Sequence, residues 1–246
     1  MEKLCYVLWA PSAAAGDASR DALVGAVGPA LLAAGARGVS VLVADAEARA
    51  LARARRTRLA EPIAGMLSVW VDDAGHAPAV EAALAPHVAR LAGYLVDESI
   101  PLPNATHRAP RGARTPGTTM LALLERPARL SHDEWIAIWH RQHSPLAIEI
   151  QCTYRYVRNV VRRPLTPGAP PWSGIVEEGF PTDAITDLQR WYRAEGDPET
   201  TRERIARMVA SVKRFLDVER VESHPLGEYV LRSPEDEGGE AARRAR

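Results

Sequence analysis

One short segment of this sequence places a titratable imidazole at the end of a face of indoles. Trp135, Trp139 and His143 recur every four residues, so a helix there would stack the three side chains on one face. A helix C-terminus favours the charged imidazole and burial opposes it, and whichever prevails the group could titrate near neutral pH. His143 is therefore a candidate general acid or base. The alternative is a structural histidine that bonds a backbone carbonyl.

Local sequence signals predict where this helix begins and where it ends. Ser131 followed by Glu134 is a capping box, which predicts the helix start. Pro145 has no N–H and disfavours helical backbone at the residue before it, so we expect the helix to end or kink there. The two indoles, Trp135 and Trp139, are typical of a core, although they would also line a pocket for a flat apolar ligand.

A carboxylate pair lies on a short strand further along the chain. Glu177, if it faces inward, would orient His143 or act as a base itself. The alternative is a salt bridge with Arg155, Arg158 or an arginine of a helix. Glu178 faces the other way by strand alternation, and we expect it to be solvated.

Four further side chains are candidates for holding a substrate. Tyr154 and Tyr156 share one face of a strand, where their phenols would polarise a carbonyl or enolate, or would simply pack against the sheet. Asn159 falls on the opposite face by parity. Trp172 follows two prolines on a loop, and we expect it at the mouth of a pocket.

Composition excludes several classes of function. The 246 residues carry 31 basic and 31 acidic side chains, so nothing in the net charge indicates a nucleic acid or an anionic membrane as partner. No apolar run approaches the roughly 20 residues that span a bilayer. Cys5 and Cys152 lie far apart without the spacing of a redox or metal motif, which favours a reduced, cytoplasmic protein.

No cofactor is predicted. His140 and His143 are three residues apart, but no carboxylate or further histidine stands at matching spacing for a metal site. The sequence has neither a glycine-rich dinucleotide fingerprint nor a P-loop.

Hydrophobic periodicity predicts the element order β-α-β-β-α-β twice. The first half comprises strands at 3–10, 38–44, 66–71 and 94–102 and helices at 21–34 and 78–91. The second comprises strands at 119–125, 153–161, 174–178 and 221–231 and helices at 133–143, 182–192 and 201–216. We therefore predict an α+β fold of two ferredoxin-like repeats packed sheet on sheet. The alternative is two independent domains joined by the linker at 103–116.

The predicted boundaries follow from this order. Residues 1–110 form the first half, residues 111–232 form the second half, and the charged tail at 233–246 is expected to be disordered.

Four motifs in the second half stand in an order that resembles a known family. They are the Leu130–Leu146 segment, the strand at 154–159, the Gly-Ile-Val-Glu strand at 174–177 before Phe-Pro-Thr, and the helix at 204–217 that leads into Gly-Glu-Tyr-Val. Residues 119–231 thereby resemble the EthD family of the dimeric α+β barrel superfamily. The resemblance implies that the two ferredoxin-like repeats pack as an intramolecular dimeric α+β barrel.

The family also implies a chemistry. It is cofactor-free acid–base catalysis, such as decarboxylation, dehydration or isomerisation, on a small apolar, aromatic or polyketide-like molecule. His143 would be the acid or base and Glu177 its partner. Tyr154 or Tyr156 would polarise the substrate. The first half has no counterpart of these residues, so one functional pocket is expected.

Two alternatives remain open on the resemblance. One is a catalytically inert ligand-binding or accessory protein of a degradation pathway. The other is a cofactor-free or haem-dependent oxygenase of the same superfamily, in which His143 would be the haem ligand. The chain is also a candidate for homodimerisation through sheet edges or helices.

Overall fold

The computed structural model describes residues 1–10 and 16–234. Within them, strands form a closed antiparallel barrel. The strands are β1 Glu2–Trp9, β2 Gly38–Val43, β3 Gly65–Val71, β4 Arg90–Leu102, β5 Thr118–Leu124, β6 Arg155–Pro164, β7 Gly174–Phe180 and β8 Glu222–Arg232. The tail predicted to be disordered lies outside the described residues from position 235 onward.

Helices cover the outside of this barrel. They are α1 Gly16–Ala22, α2 Gly28–Ala33, α3 Ala46–Ala50, α4 Ala77–Leu84, α5 His132–Ile138, α6 Ser144–Ile150, α7 Leu188–Trp191 and α8 Pro198–Phe215. The helix predicted at 182–192 is instead a 3-10 segment, Thr182–Thr186, followed by the short α7. Among the described helices, none has the length and apolar character that crossing a membrane requires.

The strand order explains how the barrel closes. The order is β1-β3-β2-β8-β5-β7-β6-β4, so each half of the chain supplies four neighbouring strands. The halves join edge to edge, through β2 with β8 and through β4 with β6. The predicted α+β class and the predicted packing of the halves into one barrel are confirmed. The halves also pair edge to edge, which satisfies the backbone groups that two open sheets would leave exposed.

Apolar side chains lie on both faces of the strands because each face meets a different core. Along β1, Leu4 and Tyr6 face the helices, whereas Cys5 and Val7 face the barrel interior. A third apolar cluster lies between the second half of the sheet and its helices. Full burial of one such side chain contributes about 1.5–3 kcal/mol, so the two helix layers and the interior all stabilise the barrel.

The two ends of the barrel differ. One end is closed from inside by Trp172, which stacks on Trp9 at a centroid distance of 6.3 Å and lies 5.7 Å from the Tyr94 ring. The other end is polar and is covered by the linker between the halves. This linker is fixed to β8 by hydrogen bonds from Gly112 N to Val230 O and from Thr115 N to Glu228 O, each 2.8 Å.

The helix that carries the indoles continues through Pro145, where its end or a kink was expected. A wide π turn at Trp139–His143 joins α5 to α6, and Ser144 N donates to Trp139 O instead of the carbonyl four residues back. The shift leaves the His140 carbonyl free to accept a 3.2 Å hydrogen bond from Arg158 Nη1. Because the hydrogen-bond register changes just before Pro145, the helical segment continues although Pro145 has no backbone N–H to donate.

Candidate active site

The predicted face of indoles forms, and it packs against the sheet. The capping box of Ser131 and Glu134 is present, and Trp135 and Trp139 are fully buried with ring centroids 4.8 Å apart. A Cβ at Gly174 of β7 would lie 2.8 Å from the Trp139 ring, so only glycine allows this close approach. The two indoles are therefore core residues between helix and sheet.

His143 is the last residue of the π turn, and its side chain faces α8. Its Nδ1 is 3.0 Å from Ser211 Oγ, and its ring lies 4.7 Å from the Phe215 ring. Burial lowers the pKa of His143 to about 4, so the imidazole is neutral at pH 7. The predicted near-neutral titration is therefore wrong, because the helical segment continues into α6 and no helix C-terminus stands at His143 to offset its burial.

Glu177 does not meet His143, because it projects from the opposite face of the sheet into the barrel. Its carboxylate is 3.1 Å from Lys3 Nζ and 3.0 Å from Arg155 Nη2, and it accepts a 3.1 Å hydrogen bond from Asn159 Nδ2. Burial alone would raise the pKa of Glu177, but the two cations outweigh it and hold the pKa at about 2. The predicted His143–Glu177 pair is wrong, and the alternative of a salt bridge with Arg155 is confirmed.

The first half of the chain contributes to this buried network, which the sequence interpretation missed. Lys3 Nζ is 2.7 Å from Glu98 Oε1, and Glu98 Oε2 accepts a 2.9 Å hydrogen bond from Trp70 Nε1. On the other side, Arg155 Nη1 lies 3.0 Å from Glu228 Oε1. A lysine within an otherwise apolar strand was the available signal, because such a position requires a buried counter-charge.

A second carboxylate faces the helices. Glu178 stands directly opposite Tyr156 on β6 and Met120 on β5. Its side chain is only partly exposed, and burial raises its pKa to about 8. The prediction that Glu178 is solvated is therefore wrong, because the helix layer covers this face of β7.

Two phenols accompany Glu178. Tyr156 is buried, with its hydroxyl 3.5 Å from Ser144 Oγ, and both burial and the Glu178 carboxyl raise its pKa. The pKa of Tyr192, at the end of α7, is raised by the same two causes. A carboxyl whose pKa is raised to about 8 and two phenols that interact with it electrostatically can together move a proton and stabilise an enolate. We call Glu178, Tyr156 and Tyr192 the helix-side cluster.

The remaining predicted residues are dispersed. Tyr154 precedes β6, stacks on His107 at 3.8 Å and donates to Pro116 O, so it fixes the linker and does not join Tyr156. Asn159 is on the opposite face from Tyr156, as parity predicted. Trp172 is on a loop as expected, but it is buried in the closed end of the barrel and lines no cavity described below.

Two cavities are large enough for a small molecule. One, of about 590 Å³, is lined by residues of α1, α3, the linker and β8, and Asp45, Arg114 and Tyr229 are among them. The other, of about 630 Å³, lies at the polar end of the barrel, with Arg155 and Glu228 among its lining residues. We call the second the mouth cavity.

The residues present do not fit a metal or a haem. In the part of the chain that the structure describes, no group of three or more histidine, cysteine, aspartate or glutamate side chains could hold a metal ion. The His143 ring is enclosed by Ser211 and Phe215 and lines neither cavity. A haem could reach it only by displacing α8.

Comparison with known proteins agrees with this geometry. Residues 127–219 match the family model of the EthD domain. An anthrone oxidase-like protein of known structure superposes with a TM-score of 0.56 at 9% identity, over 95% of this chain and 94% of that one. A candidate monooxygenase from Fusobacterium nucleatum gives a TM-score of 0.53 at 9% identity, over 94% and 92% of the two chains. Such identities establish the fold alone, and a search of curated proteins found no match.

Proposed function

Because residues 127–219 of this chain match the family model of the EthD domain, we propose that the protein is a small-molecule enzyme. In this proposal it is a lyase or isomerase that uses acid–base chemistry without a cofactor, on an apolar aromatic or polyketide-like substrate. The helix-side cluster is its reactive centre. Glu178 is the acid or base, and Tyr156 and Tyr192 are hydrogen-bond donors to the substrate oxygen.

One observation carries this proposal. Glu178 is a partly exposed carboxyl on the helix-facing side of the sheet, directly opposite Tyr156. Its environment keeps a large fraction protonated at pH 7 while leaving some carboxylate, which suits a group that must both accept and donate a proton. His143 and Glu177 lack this property, since one is neutral between two helices and the other is held ionised by two cations.

The chemistry follows from these positions. The Glu178 carboxylate takes a proton from a substrate carbon next to a carbonyl, and a tyrosine hydroxyl donates to the oxygen of the resulting enolate. The same carboxyl then returns the proton to another carbon in an isomerisation, or to a departing hydroxyl in a dehydration. In this proposal the buried Trp135 and Trp139 position the helices that cover the substrate, and Asn159 and Glu177 stabilise the barrel beneath it.

Exchange of substrate hydrogen for deuterium tests the proposal without knowledge of the product. The protein is incubated in D₂O with a panel of polyketide-like phenols and β-keto acids, and loss of the acidic C–H signal is followed by NMR. We expect exchange in the wild type and a loss of about 100-fold or more in Glu178→Gln. Tyr156→Phe should cost about tenfold. Loss of exchange in His143→Gln with full rates in Glu178→Gln would contradict the proposal.

Two other outcomes would identify the alternatives. Ligand binding without exchange in the wild type would indicate an inert binding protein. Consumption of O₂ with the same panel would indicate an oxygenase. The two similar structures are named as a monooxygenase and an anthrone oxidase-like protein. Their similarity to this chain is one of fold alone and does not support that activity here.

We also propose that the chain is a tandem pair of ferredoxin-like repeats with limits at 1–110 and 111–232. The registers support this: Lys3 pairs with Trp70 and Val96, and Thr119 pairs with Gly179 and Leu226. By this equivalence Glu98 and Glu228 correspond, each two residues after its paired position. At the position that corresponds to Glu177, the first half has the uncharged Ser68. The carboxylate therefore occurs only once, and the two repeats share one buried ionic network.

Compartment and assembly are proposed on similar grounds. Cys5 and Cys152 are both free thiols, which agrees with a reducing compartment, and we propose the cytoplasm. The closed barrel leaves no free sheet edge among the described strands. A homodimer would therefore form through helices.

A further inference from the structure

The mouth cavity lies on the other side of the sheet from the helix-side cluster, and the proposed function does not use it. It occupies about 630 Å³ at the polar end of the barrel. Its walls come from Met1 before β1, from β2, from the start of β6, from the ends of β3, β4 and β8, and from the linker between the halves. This volume lies within the range of small-molecule binding sites.

The floor of the mouth cavity carries buried polar groups with unused hydrogen-bonding capacity. Arg155 Nη1 and Glu228 Oε1 are 3.0 Å apart, yet neither makes a well-aligned hydrogen bond within the described chain. Glu228 is 3% exposed and its carboxylate faces the same space as the guanidinium. Buried polar atoms of this kind are normally satisfied, so the pair presents one donor and one acceptor to an occupant.

The walls add positive charge and apolar surface. Arg108, Arg111 and Arg232 line the cavity with Arg155, against two glutamates, so the lining is positive overall. Its apolar surface comes from the following residues: Trp70, Ile100, Pro103, Pro110, Val230 and Pro234. Arginine side chains bind carboxylates, and a flat aromatic ring of a ligand would pack against the indole of Trp70 and the prolines.

We propose that the mouth cavity is a second binding site, which takes a small hydroxylated aromatic carboxylate. The carboxylate accepts hydrogen bonds from Arg155 Nη1 and the arginines of the rim. The neighbouring hydroxyl donates to Glu228 Oε1. The ring lies against Trp70 and the prolines of the linker.

Calorimetric titration with salicylate tests this site, because salicylate carries the carboxylate and hydroxyl on one ring. We expect saturable binding to the wild type and at least fivefold weaker binding to the double variant Arg108→Gln/Arg232→Gln. Arg163→Gln, an exposed arginine of β6 outside the lining, is the matched control and should bind as the wild type. Neutral salicylamide should bind the wild type at least fivefold more weakly than salicylate.

Two further variants locate the ligand. Ile100 lines the cavity and is 41% exposed, so Ile100→Trp should fold and should abolish binding by filling the space. Glu178→Gln should bind salicylate as the wild type does. The rim arginines are chosen because Arg155→Gln would leave buried carboxylates without a counter-charge. The proposal is overturned by absence of saturable binding, by equal binding to the rim double variant, or by loss of binding in Glu178→Gln.

Discussion

Glu177 and Glu178 are neighbours in β7, and their environments separate their pKa values by several units. Glu177 faces the barrel, where Lys3 and Arg155 hold its pKa at about 2. Glu178 faces the helices, where burial without a partner cation raises its pKa to about 8. Strand alternation therefore gives one residue a permanent charge in the barrel and the other a proton it can exchange.

The raised pKa of Glu178 predicts a pH-dependent cost to stability. The folded state holds the proton between pH 4.5, the usual value, and about 8, whereas the unfolded state releases it, so the free energy of unfolding falls as pH rises through this window. Glu178→Gln removes this effect. We expect the variant to be more stable than wild type by roughly 2 kcal/mol at pH 9, after discounting for partial exposure, and by less at pH 5. Urea unfolding at both pH values measures this, and an equal difference at the two would contradict it.

Removal of Lys3 should destabilise the barrel, because Glu98 and Glu177 would lose a shared buried cation. We expect Lys3→Met to lower the free energy of unfolding by about 3 kcal/mol. Arg207→Met, which breaks an exposed ion pair with Glu149, is the matched control and should cost less than about 1 kcal/mol. Equal losses in the two variants by urea titration would show that the interior network contributes no more than a surface pair.

At the scale of elements, local signals predicted the indole face and the helix start, because both depend on side chains within two turns. The path through Pro145 could not be predicted, since the carbonyl that the π turn displaces, that of His140, accepts its hydrogen bond from Arg158 of a distant strand. Parity placed Glu177 and Glu178 on opposite faces. Strand alternation alone does not show that both faces of β7 are buried, because that burial depends on closure of the barrel.

The contact between helix and sheet can be tested at Gly174. A Cβ there would meet the Trp139 ring at 2.8 Å, and the fully buried indole has little room to move. We expect Gly174→Ala to lower the free energy of unfolding by about 2 kcal/mol. Gly25→Ala meets no atom within 4 Å and should be neutral or slightly stabilising. The melting temperatures of both variants, measured by thermal unfolding, test this expectation. An unchanged melting temperature for Gly174→Ala would contradict this packing.

At the scale of the whole molecule, the two halves complete one another. Each half supplies four strands, and closure depends on the β2–β8 and β4–β6 pairs. The charges of the interior are also divided, with Lys3 and Glu98 from one half and Arg155 and Glu177 from the other. The sequence predicted two repeats, but their joint core depends on contacts between residues more than fifty positions apart in the chain, which no local pattern reports.

Separation of the halves should therefore prevent folding. We expect residues 1–110 and 111–232, expressed alone, to self-associate or precipitate, because each would expose two sheet edges and one interior face. Expressed together they should copurify in equal amounts. If each half were a folded monomer by gel filtration and circular dichroism, the chain would be two independent domains.

Glu178, and not His143, is the group proposed to exchange a proton near neutral pH. The direct measurement is a ¹³C NMR titration of glutamate side-chain carboxyls in the wild type and in Glu178→Gln. We predict one carboxyl that titrates at about 8 in the wild type and is missing from the variant. If every glutamate instead titrated below about 6, Glu178 would be an ordinary ionised carboxylate. The proposed acid–base centre would then be wrong.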